Sequence, residues 1–596
     1  MKGKIHNLQI FFLGLLGLYP LIKFDWSSKI IAIFCALSIT IAITNKRIHF
    51  TRENCTRFIA MTSYFFLLFF STIYSSNNEE ALLNIAQIIP LLIIPFIISF
   101  VNFKISQKNK TSIFQLFIAV NIIYTFVIMY LFINSPDRLI LGIQYYLLDY
   151  DKFQFITNQN PLGSFVLVHK AYFSMGFVMC ALFALYAFLK NSLKSKSLRV
   201  VYFFVFIYFS LWIFFAFSFP NVLALILSVL LMLKLELKKK SFLIAVISFV
   251  IFCGVFLTIK SNDVDFQRGI NFIKSASTGK EYNVKETRGE IYKAVFGIVK
   301  KSSFSEFLFG FGFGDVQERL NKEYQNRLLQ NKSRNILYYS EEISDNYWFK
   351  NNIKVLGNKG VSPEGKKNAD LMIGENLKER RSHNISANIN NEDKGRYTLS
   401  VFVKKDQSNL VTLRLGTINQ RATFDLSDGK LFKKEDVFKA DIIALKNNWY
   451  RCFIVVDEYK SGLVLFGLSD DKGAYVYKTP NTQSMFFWGL QLEKGNLTTY
   501  LDNKNGQLQI AINEELNTHN NYIYLFLAAG FLGLLSFLFF IAYLFKISLF
   551  PLDIFKVSFC ILVGLNFLTE NILSRHWGLM FFSFMIVLLF NKEEKV

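Results

Sequence analysis

Long apolar runs separated by short polar stretches make up both ends of the chain. Each run is close to the length that an α-helix needs to cross the hydrocarbon core of a bilayer, roughly 20 residues. The pattern therefore predicts an α-helical polytopic membrane protein with about twelve transmembrane helices. The runs lie at residues 8–22, 28–45, 57–75, 82–102, 112–134, 171–190, 199–217, 221–237, 242–259, 521–545, 551–569 and 576–591.

Lysine and arginine gather in alternate loops of this pattern. Basic residues follow the second, fourth, sixth and eighth runs, whereas the intervening loops are poor in them, and one carries Glu79 and Glu80. Because basic loops stay on the cytoplasmic side of a membrane, we expect both termini to be cytoplasmic and the long segment 260–520 to lie outside. The basic residues are Lys46, Arg47, Arg52, Arg57, Lys104, Lys108, Lys110, Lys190, Lys194, Lys196, Arg199, Lys238, Lys239 and Lys240.

The pattern changes inside this outer segment. Between residues 335 and 505, short runs rich in β-branched and aromatic residues are separated by turn signals such as that at 427–429, which is typical of β-strands. Strands at this spacing predict an inserted all-β sandwich or jelly roll. The predicted strands are 397–404, 410–415, 422–426, 450–456, 463–468 and 484–492.

The chain is thus divided into four parts. Residues 1–259 hold helices one to nine, and residues 506–596 hold a histidine motif and the last three helices. Between them lie the loop 260–334 and the β insert 335–505. Within the loop, residues 307–314 are mostly phenylalanine and glycine, and we expect a flexible turn with an exposed backbone there.

An amphipathic helix is predicted in the loop at residues 286–301. Thr287 followed by Glu290 has the spacing of a capping box, so the helix is expected to start at Arg288. Apolar residues recur at helical spacing at Ile291, Ala294, Val295, Ile298 and Val299.

Composition agrees with a membrane protein, since 52% of the 596 residues are hydrophobic, 67 are phenylalanine and only 18% are charged. The net charge of +22 would also suit nucleic acid, but the position of the basic residues favours the topological explanation. Only Cys452 of six cysteines lies in the large polar region, so no disulfide framework is expected there. No metal-ligand spacing appears, and no cofactor is expected. The first apolar run is interpreted as a retained anchor.

A histidine stands just before the tenth apolar run. His519 is flanked by Asn517, Asn520 and Asn521, which make the approach to the membrane polar. Imidazole titrates near neutral pH, so a histidine at this boundary could accept or release a proton during chemistry on a lipid-linked substrate. The position is also consistent with an interfacial polar residue that has no special role.

Arg288 places a charge on the apolar side of the predicted amphipathic helix, beside Ile291 and Val295. It also stands at a helix N-terminus, where free backbone N–H groups and the helix dipole favour anions. Guanidinium groups bind phosphate oxygens in pairs, so these features would suit a diphosphate. A snorkelling arginine at the membrane surface is the alternative.

The last loop, residues 569–578, brings Glu570, Arg575 and His576 between two apolar runs. Ionisable groups at membrane depth are candidates for a functional site. An ion pair that joins the two helices is an equally good explanation. His169, at the outer start of the sixth run, is interpreted as structural rather than catalytic.

Several short segments together are similar to the signature of the O-antigen ligase and polysaccharide polymerase family. They are RGEIY at 288–292, FGFG at 309–312, THNNY at 518–522, GFLG at 530–533, HKAYFS at 169–174 and ENILSRHWG at 570–578. The resemblance covers residues 1–334 and 506–596, in a single order. It implies an inverting, metal-independent transfer of a glycan from undecaprenyl diphosphate to an acceptor hydroxyl.

By this resemblance, His519 is the base for the acceptor hydroxyl or a group that orients it, and Arg288 holds the diphosphate. The further candidates for substrate binding are Arg575, Glu570, His169, Arg268 and Asn520.

Two departures from the family stand out. Many relatives carry an arginine beside a serine at the start of the eighth helix, where this chain has Phe219, Pro220 and Asn221. Arg268 or Arg575 would then have to supply the missing charge. A relative's tryptophan in the outer loop is Tyr292 here.

The β insert lies outside that family pattern. Its residues 335–341 and the surroundings of Trp348, Trp449 and Trp488 resemble a jelly-roll module of carbohydrate-binding and phage-tail proteins. Exposed aromatic rings can stack on sugar rings, so the three tryptophans are candidate sugar-binding residues. Burial in the core of the insert is an equally good explanation for them.

Three classes of function stay open. The first is a glycosyltransferase of the bacterial inner membrane, acting on its periplasmic face. Its partners would be membrane lipids, the lipid-linked glycan and an acceptor, with no nucleic acid. If the acceptor is lipid A-core, the protein is an O-antigen ligase, which is the alternative we favour. If the acceptor is another glycan chain, the protein is a polymerase. If the acceptor is a protein hydroxyl, the protein is an O-oligosaccharyltransferase.

The second class is a transporter or lipid flippase, which would need charged or broken helices at mid-membrane in two matching halves. The ionisable groups here gather at outer helix ends instead. The third class is a membrane-anchored sugar receptor, which would need neither His519 nor Arg288.

Overall fold

The chain forms two units. A helical unit contains residues 1–284, 291–321 and 516–596, and a β unit contains residues 285–290 and 322–515. The computed structural model describes residues 2–22, 24–44, 48–101, 104–133, 170–190, 196–216, 218–259, 287–330, 334–345, 347–377, 379–478, 483–503, 506–513 and 515–593.

Helices occupy all twelve predicted apolar runs, and the fourth run is divided at Pro90. Within the described ranges, seven helical stretches are long and apolar enough to cross a membrane, so the number of twelve spans stays a prediction. The helices are Lys2–Leu16, Phe24–Thr44, Arg52–Ser71, Asn78–Ile88, Pro90–Phe100, Gln107–Ile133, Lys170–Leu189, Lys196–Ala216, Phe219–Glu236, Lys239–Ile259, Asn521–Leu549, Ile554–Asn566 and His576–Phe590.

Aromatic side chains fill the interior of the helical unit. The helix Asn521–Leu549, which begins next to His519, packs on the helix Arg52–Ser71 through Tyr64. The Tyr64 ring centroid lies 4.9 Å from that of Phe540 and 5.3 Å from that of Phe537, and all three side chains are buried. Such close packing matters because apolar side chains gain little from leaving lipid for a protein interior.

The predicted amphipathic helix is present as Thr287–Lys301, so it begins one residue before the start at Arg288 that the capping-box spacing predicted. The Glu290 carboxylate pairs with Arg327 at 2.8 Å. Ile291, Ala294, Val295 and Ile298 form its buried side, as the spacing indicated. Two more helices follow it, Phe304–Phe309 and Val316–Gln330.

The prediction of a flexible, exposed turn at residues 307–314 is wrong. Its first part belongs to the helix Phe304–Phe309, whose N-terminus carries a capping box between Ser303 and Glu306. Its second part, residues 310–314, is buried, and we call it the glycine turn. Glycine permits both mobility and close backbone approach, and the sequence alone does not separate the two.

The β unit is built on an eleven-stranded antiparallel sheet. Its strands are Phe349–Asn351, Ile353–Gly360, Ala369–Gly374, Arg381–Lys405, Leu410–Leu415, Arg421–Asp425, Lys430–Glu435, Lys439–Ala444, Trp449–Leu468, Val476–Tyr477 and Gln483–Lys494. A helix, Gly506–Asn513, follows the last strand. All six predicted strands are present, and 450–456 and 463–468 are parts of one long strand.

A long pair of antiparallel strands organises this sheet. Strands Arg381–Lys405 and Trp449–Leu468 pair from end to end, with register shifts between Val456 and Ser461. On one side of the shifts, Gln483–Lys494 and Lys439–Ala444 extend the sheet beyond this pair; on the other side, Leu410–Leu415 extends it. Residues from both halves, among them Val401 and Phe466, belong to one hydrophobic core.

Candidate functional site

The loop that carries His519 is held by asparagine side chains. Asn520 caps the helix Asn521–Leu549, since its Oδ1 accepts the N–H of Ile523 at 3.1 Å. Asn517 Oδ1 accepts the backbone N–H of His519 at 2.9 Å. We call residues 517–520 the histidine loop. These local bonds make its conformation specific although it contains no regular secondary structure.

The histidine loop is tied to the last loop by side-chain hydrogen bonds. Asn571 Oδ1 accepts both the Thr518 hydroxyl at 3.0 Å and the Asn520 N–H at 2.9 Å. Asn571 Nδ2 donates to Asn517 Oδ1 at 3.2 Å, and Asn520 Nδ2 donates to the Leu568 carbonyl at 3.0 Å. Thr518, Asn520 and Asn571 are all buried. Buried amides with satisfied partners fix the position of the residue between them.

His519 is placed next to Glu570 by this network. Its Nδ1 lies 3.7 Å from Glu570 Oε2, and 29% of the histidine side chain and 14% of the glutamate side chain are exposed. The backbone of His519 has φ +42°, in the left-handed region that non-glycine residues seldom adopt. A backbone of this kind persists only where its surroundings impose it, and it is frequent at functional sites.

One ring nitrogen of His519 faces a carboxylate, and the ring is partly exposed. A general base needs a group that orients one side of its ring and an open approach to the other. Glu570 is itself fixed through its backbone, because its N–H donates to the Asn566 carbonyl at 3.0 Å.

Of the remaining predicted site residues, the structure describes two, Arg575 and Arg288. Arg575 is exposed and directly precedes the helix His576–Phe590, at the end of the loop that carries Glu570. Arg288 is exposed near the start of the helix Thr287–Lys301 and belongs to the β unit, so its meeting with His519 stays a prediction. His169 and Arg268 lie outside the described residues.

The glycine turn packs against a break in the helix that follows His519. This helix loses its regular geometry at Ala529 and Gly530, which leaves carbonyls without their usual helical partners. Phe311 N–H donates to the Leu527 carbonyl at 2.8 Å, and Gly312 N–H donates to that of Ala528 at 3.1 Å. The turn therefore completes the hydrogen bonding of the broken helix.

Two glycines make this contact possible. Gly310 has φ +84°, and a Cβ there would lie 2.5 Å from the backbone nitrogen of Gly530. Gly530 has φ +68°, and a Cβ there would overlap the backbone of Leu308 and Gly310. Any side chain at either position would separate the two backbones.

Asp315 anchors the other side of the glycine turn. Its buried carboxylate accepts the Ser75 hydroxyl at 3.0 Å, the Ser76 N–H at 2.7 Å and the Asn77 N–H at 2.8 Å. Backbone and hydroxyl donors of this kind satisfy a buried carboxylate without a cation. The turn is thus fixed to the segment after the helix Arg52–Ser71 as well as to the broken helix.

The start of the helix Phe219–Glu236, where the family that the sequence resembles carries arginine, holds a pair of asparagines. Asn566 Nδ2 donates to Asn221 Oδ1 at 2.8 Å, and Asn221 Nδ2 donates to the Ala171 carbonyl at 2.9 Å and to Ser218 Oγ at 3.0 Å. Sequence reasoning missed Asn566 and Asn571. The sequence signal that could have identified them is a polar residue near the end of an apolar run.

The three tryptophans of the β unit are core residues and not an exposed sugar platform. Trp348, Trp449 and Trp488 are each at most 2% exposed. The indole N–H of Trp348 donates to the Tyr339 carbonyl, and that of Trp449 donates to the Val361 carbonyl, both at 3.1 Å. Their burial corrects the prediction that these rings stack on sugars, because a ring must be accessible to do so.

Comparison with known proteins adds little to this geometry. No family model and no curated protein matches the chain. Among solved structures, the enzymatically active domain of tailspike protein 4 from bacteriophage CBA120 aligns with 27% of this chain at 10% identity and a TM-score of 0.18. The alignment spans only 22% of the tailspike chain. A similarity of this size carries no argument about fold or function.

Proposed function

We propose that this protein is a membrane glycosyltransferase that moves a glycan from undecaprenyl diphosphate to an acceptor hydroxyl. The supporting observation is His519, partly exposed at the start of a long apolar helix, with Nδ1 3.7 Å from Glu570 Oε2. Lipid A-core is the acceptor we favour, which makes the protein an O-antigen ligase. Another glycan or a protein hydroxyl is the alternative acceptor.

The proposal includes a topology. Twelve spans cross the bacterial inner membrane, both termini are cytoplasmic, and the β unit is a periplasmic sandwich or jelly roll. The alternating basic loops support this orientation. The helices found at all twelve apolar runs and the hydrophobic core shared by both halves of the long strand pair support the architecture.

In the proposed reaction, the acceptor hydroxyl loses its proton to His519 Nε2 as its oxygen attacks the anomeric carbon. The bond between that carbon and the diphosphate oxygen breaks, and the diphosphate leaves with the electron pair. Attack opposite the leaving group inverts the anomeric configuration. The Glu570 carboxylate stabilises the imidazolium that forms.

Negative charge on the leaving diphosphate needs a cation. Arg288 has this role by resemblance, and its guanidinium suits paired hydrogen bonds to phosphate oxygens. Arg575 is a second candidate, because it is exposed in the loop that holds Glu570. It would supply the charge that Asn221 does not.

The proposal is tested by complementing a deletion strain with His519→Ala. Loss of the general base should reduce glycan transfer by about 10²–10⁴-fold, while the protein still inserts. The matched control is His49→Ala, which alters an exposed histidine three residues before the helix Arg52–Ser71 and should leave transfer unchanged. Normal surface glycan in His519→Ala would refute the enzyme and favour a flippase or receptor.

The deletion strain also identifies the acceptor. Polymerised O-chain that stays unattached indicates a ligase. Single repeat units on the core indicate a polymerase, and lost glycosylation of secreted proteins indicates a protein transferase.

A further inference from the structure

Three phenylalanines form an exposed apolar surface beside the glycine turn. Phe304 is 79% exposed, and Phe307 and Phe309 of the same short helix are exposed as well. We call these three residues the phenylalanine patch. Large apolar side chains exposed together in one short segment indicate a partner, because water-facing surfaces rarely keep them.

The patch continues the exposed side of the helix Asn521–Leu549. The ring of Phe307 lies 5.9 Å from that of Phe531, with the two planes 16° apart. Phe531 begins a stripe of exposed apolar residues at helical spacing, which includes Leu535, Leu538 and Phe539. In a helix long enough to cross a membrane, such a stripe is the side that faces lipid.

The patch also borders the end of the helix Arg52–Ser71. The Tyr74 hydroxyl donates to the Phe309 carbonyl. Tyr74, Ile73 and Phe70 are all exposed, and Ile73 is 75% exposed. The phenylalanine patch therefore joins the apolar surfaces of two helices into one.

The backbone of this segment is compatible with a position at membrane depth. The capping box of Ser303 and Glu306 satisfies the N-terminus of the helix Phe304–Phe309, and Gly310 N–H donates to the Glu306 carbonyl at 2.8 Å. The Glu306 carboxylate has a partner in Arg319, at 3.4 Å. Satisfied backbone groups and a paired charge are what an interfacial segment needs.

We propose that the phenylalanine patch contacts the lipid bilayer. In this arrangement the helix Phe304–Phe309 lies at the boundary between headgroups and acyl chains, with Phe304 and Phe309 among the acyl chains of phospholipids. Lipid then covers the exposed side of this helix, and the helix leads into the glycine turn. The proposal is independent of the enzymatic one, because it needs neither His519 nor a glycan.

The test measures how deep a nitroxide spin label at residue 304 lies in proteoliposomes. Cys55→Ser provides the background, because the other five cysteines are buried. Phe304→Cys is compared with Phe539→Cys on the lipid-facing stripe and with Glu318→Cys at an exposed carboxylate. The readout is collision with oxygen, which concentrates in lipid, relative to a water-soluble nickel chelate.

We expect the oxygen-to-nickel ratio at residue 304 to approach that at 539 and to exceed that at 318 several-fold. A ratio equal to that at 318 would overturn the proposal. Spin–spin broadening at 304 that disappears on dilution with unlabelled protein would also overturn it, since a second copy would then cover the patch.

A second measurement removes the dependence on the cysteine variant. p-Benzoyl-phenylalanine at position 304 keeps an aromatic side chain, and on irradiation it should cross-link to phospholipid, which adds the mass of one lipid. Cross-links to protein alone would contradict the proposal.

Discussion

The core of the β unit and the histidine loop both bury polar groups with local and distant partners, but they differ in how far the central side chain is enclosed. In the β unit, the Trp348 indole N–H bonds to the carbonyl of Tyr339, nine residues away, and the Trp449 indole N–H bonds to the carbonyl of Val361, 88 residues away. In the histidine loop, Thr518 and Asn520 bond to Asn571, 53 and 51 residues away. Both regions thus depend on contacts between distant segments, and the enclosure of the central residue distinguishes them: Trp348 is 1% exposed, whereas 29% of the His519 side chain is exposed.

The chemical state of the central residue also differs. Trp348 and Trp449 are enclosed and their indole N–H groups are used, so they contribute to packing. His519 is partly exposed, has an uncommon backbone conformation and lies near a carboxylate without a short hydrogen bond to it. A partly exposed side chain in that state is accessible to a ligand, whereas the enclosed indoles are not.

The largest expected effect lies in the β core. Trp449→Ala removes a buried indole and should lower the free energy of unfolding by about 3–5 kcal/mol. The measurement is thermal unfolding of the full chain in detergent. Phe349→Ala, at an exposed aromatic residue of the same unit, is the control and should change stability little. Equal losses in the two variants would show that Trp449 is not a core residue in solution.

A loss of about 2–4 kcal/mol is expected for Gly530→Ala, because a Cβ adds overlap with Gly310 to an unfavourable φ. Gly564→Ala is the matched control within the helix Ile554–Asn566, where a Cβ would meet nothing within 4 Å. It should be neutral or slightly stabilising, since alanine favours helix. The comparison is made by thermal unfolding in one detergent.

A contrary result would be equal stability of Gly530→Ala and wild type. The glycine turn would then not be held against the helix break. Gly310→Ala provides a second view of the same contact and should behave like Gly530→Ala, because each glycine is opposed by the backbone of the other.

Asn571→Ala should affect both stability and activity. It leaves the buried N–H of Asn520 without its acceptor, which costs about 1–3 kcal/mol. Glycan transfer should fall as well, because His519 lies between the two residues that Asn571 holds. Asn388→Ala, at an exposed position of the β unit, is the control for the loss of an asparagine side chain as such. If Asn571→Ala is less stable but transfers glycan normally, the hydrogen bonds of Asn571 support the fold and not the reaction.

The sequence predicted those parts of the fold that depend on local pattern. The alternation of apolar residues at Leu399, Val401 and Val403 predicted a strand, and the long apolar runs predicted the helices. In the fourth apolar run, Pro90 was the sequence feature that indicated a break in the helix.

Contacts between distant segments could not be predicted in this way. Gly310 and Gly530 oppose each other across 220 positions, and glycine-rich sequence looks the same whether it is mobile or clamped. His519 and Glu570 were both candidates, but nothing local indicated that Asn571 would join their loops. The tryptophans were ambiguous because an aromatic residue suits both a core and a sugar site.

The smallest effect concerns the asparagine pair Asn221 and Asn566. A double-mutant cycle with Asn221→Ala and Asn566→Ala should give a coupling of about 0.6 kcal/mol, the average for hydrogen bonds between membrane helices. The four proteins are compared by unfolding in one detergent. Additive losses would mean that the two amides do not support each other. If Asn221 only supports the helix contact, Asn221→Ala should also transfer glycan far better than His519→Ala. Loss of transfer equal to that of His519→Ala would instead place the start of this helix in the reaction itself, although it carries no positive charge.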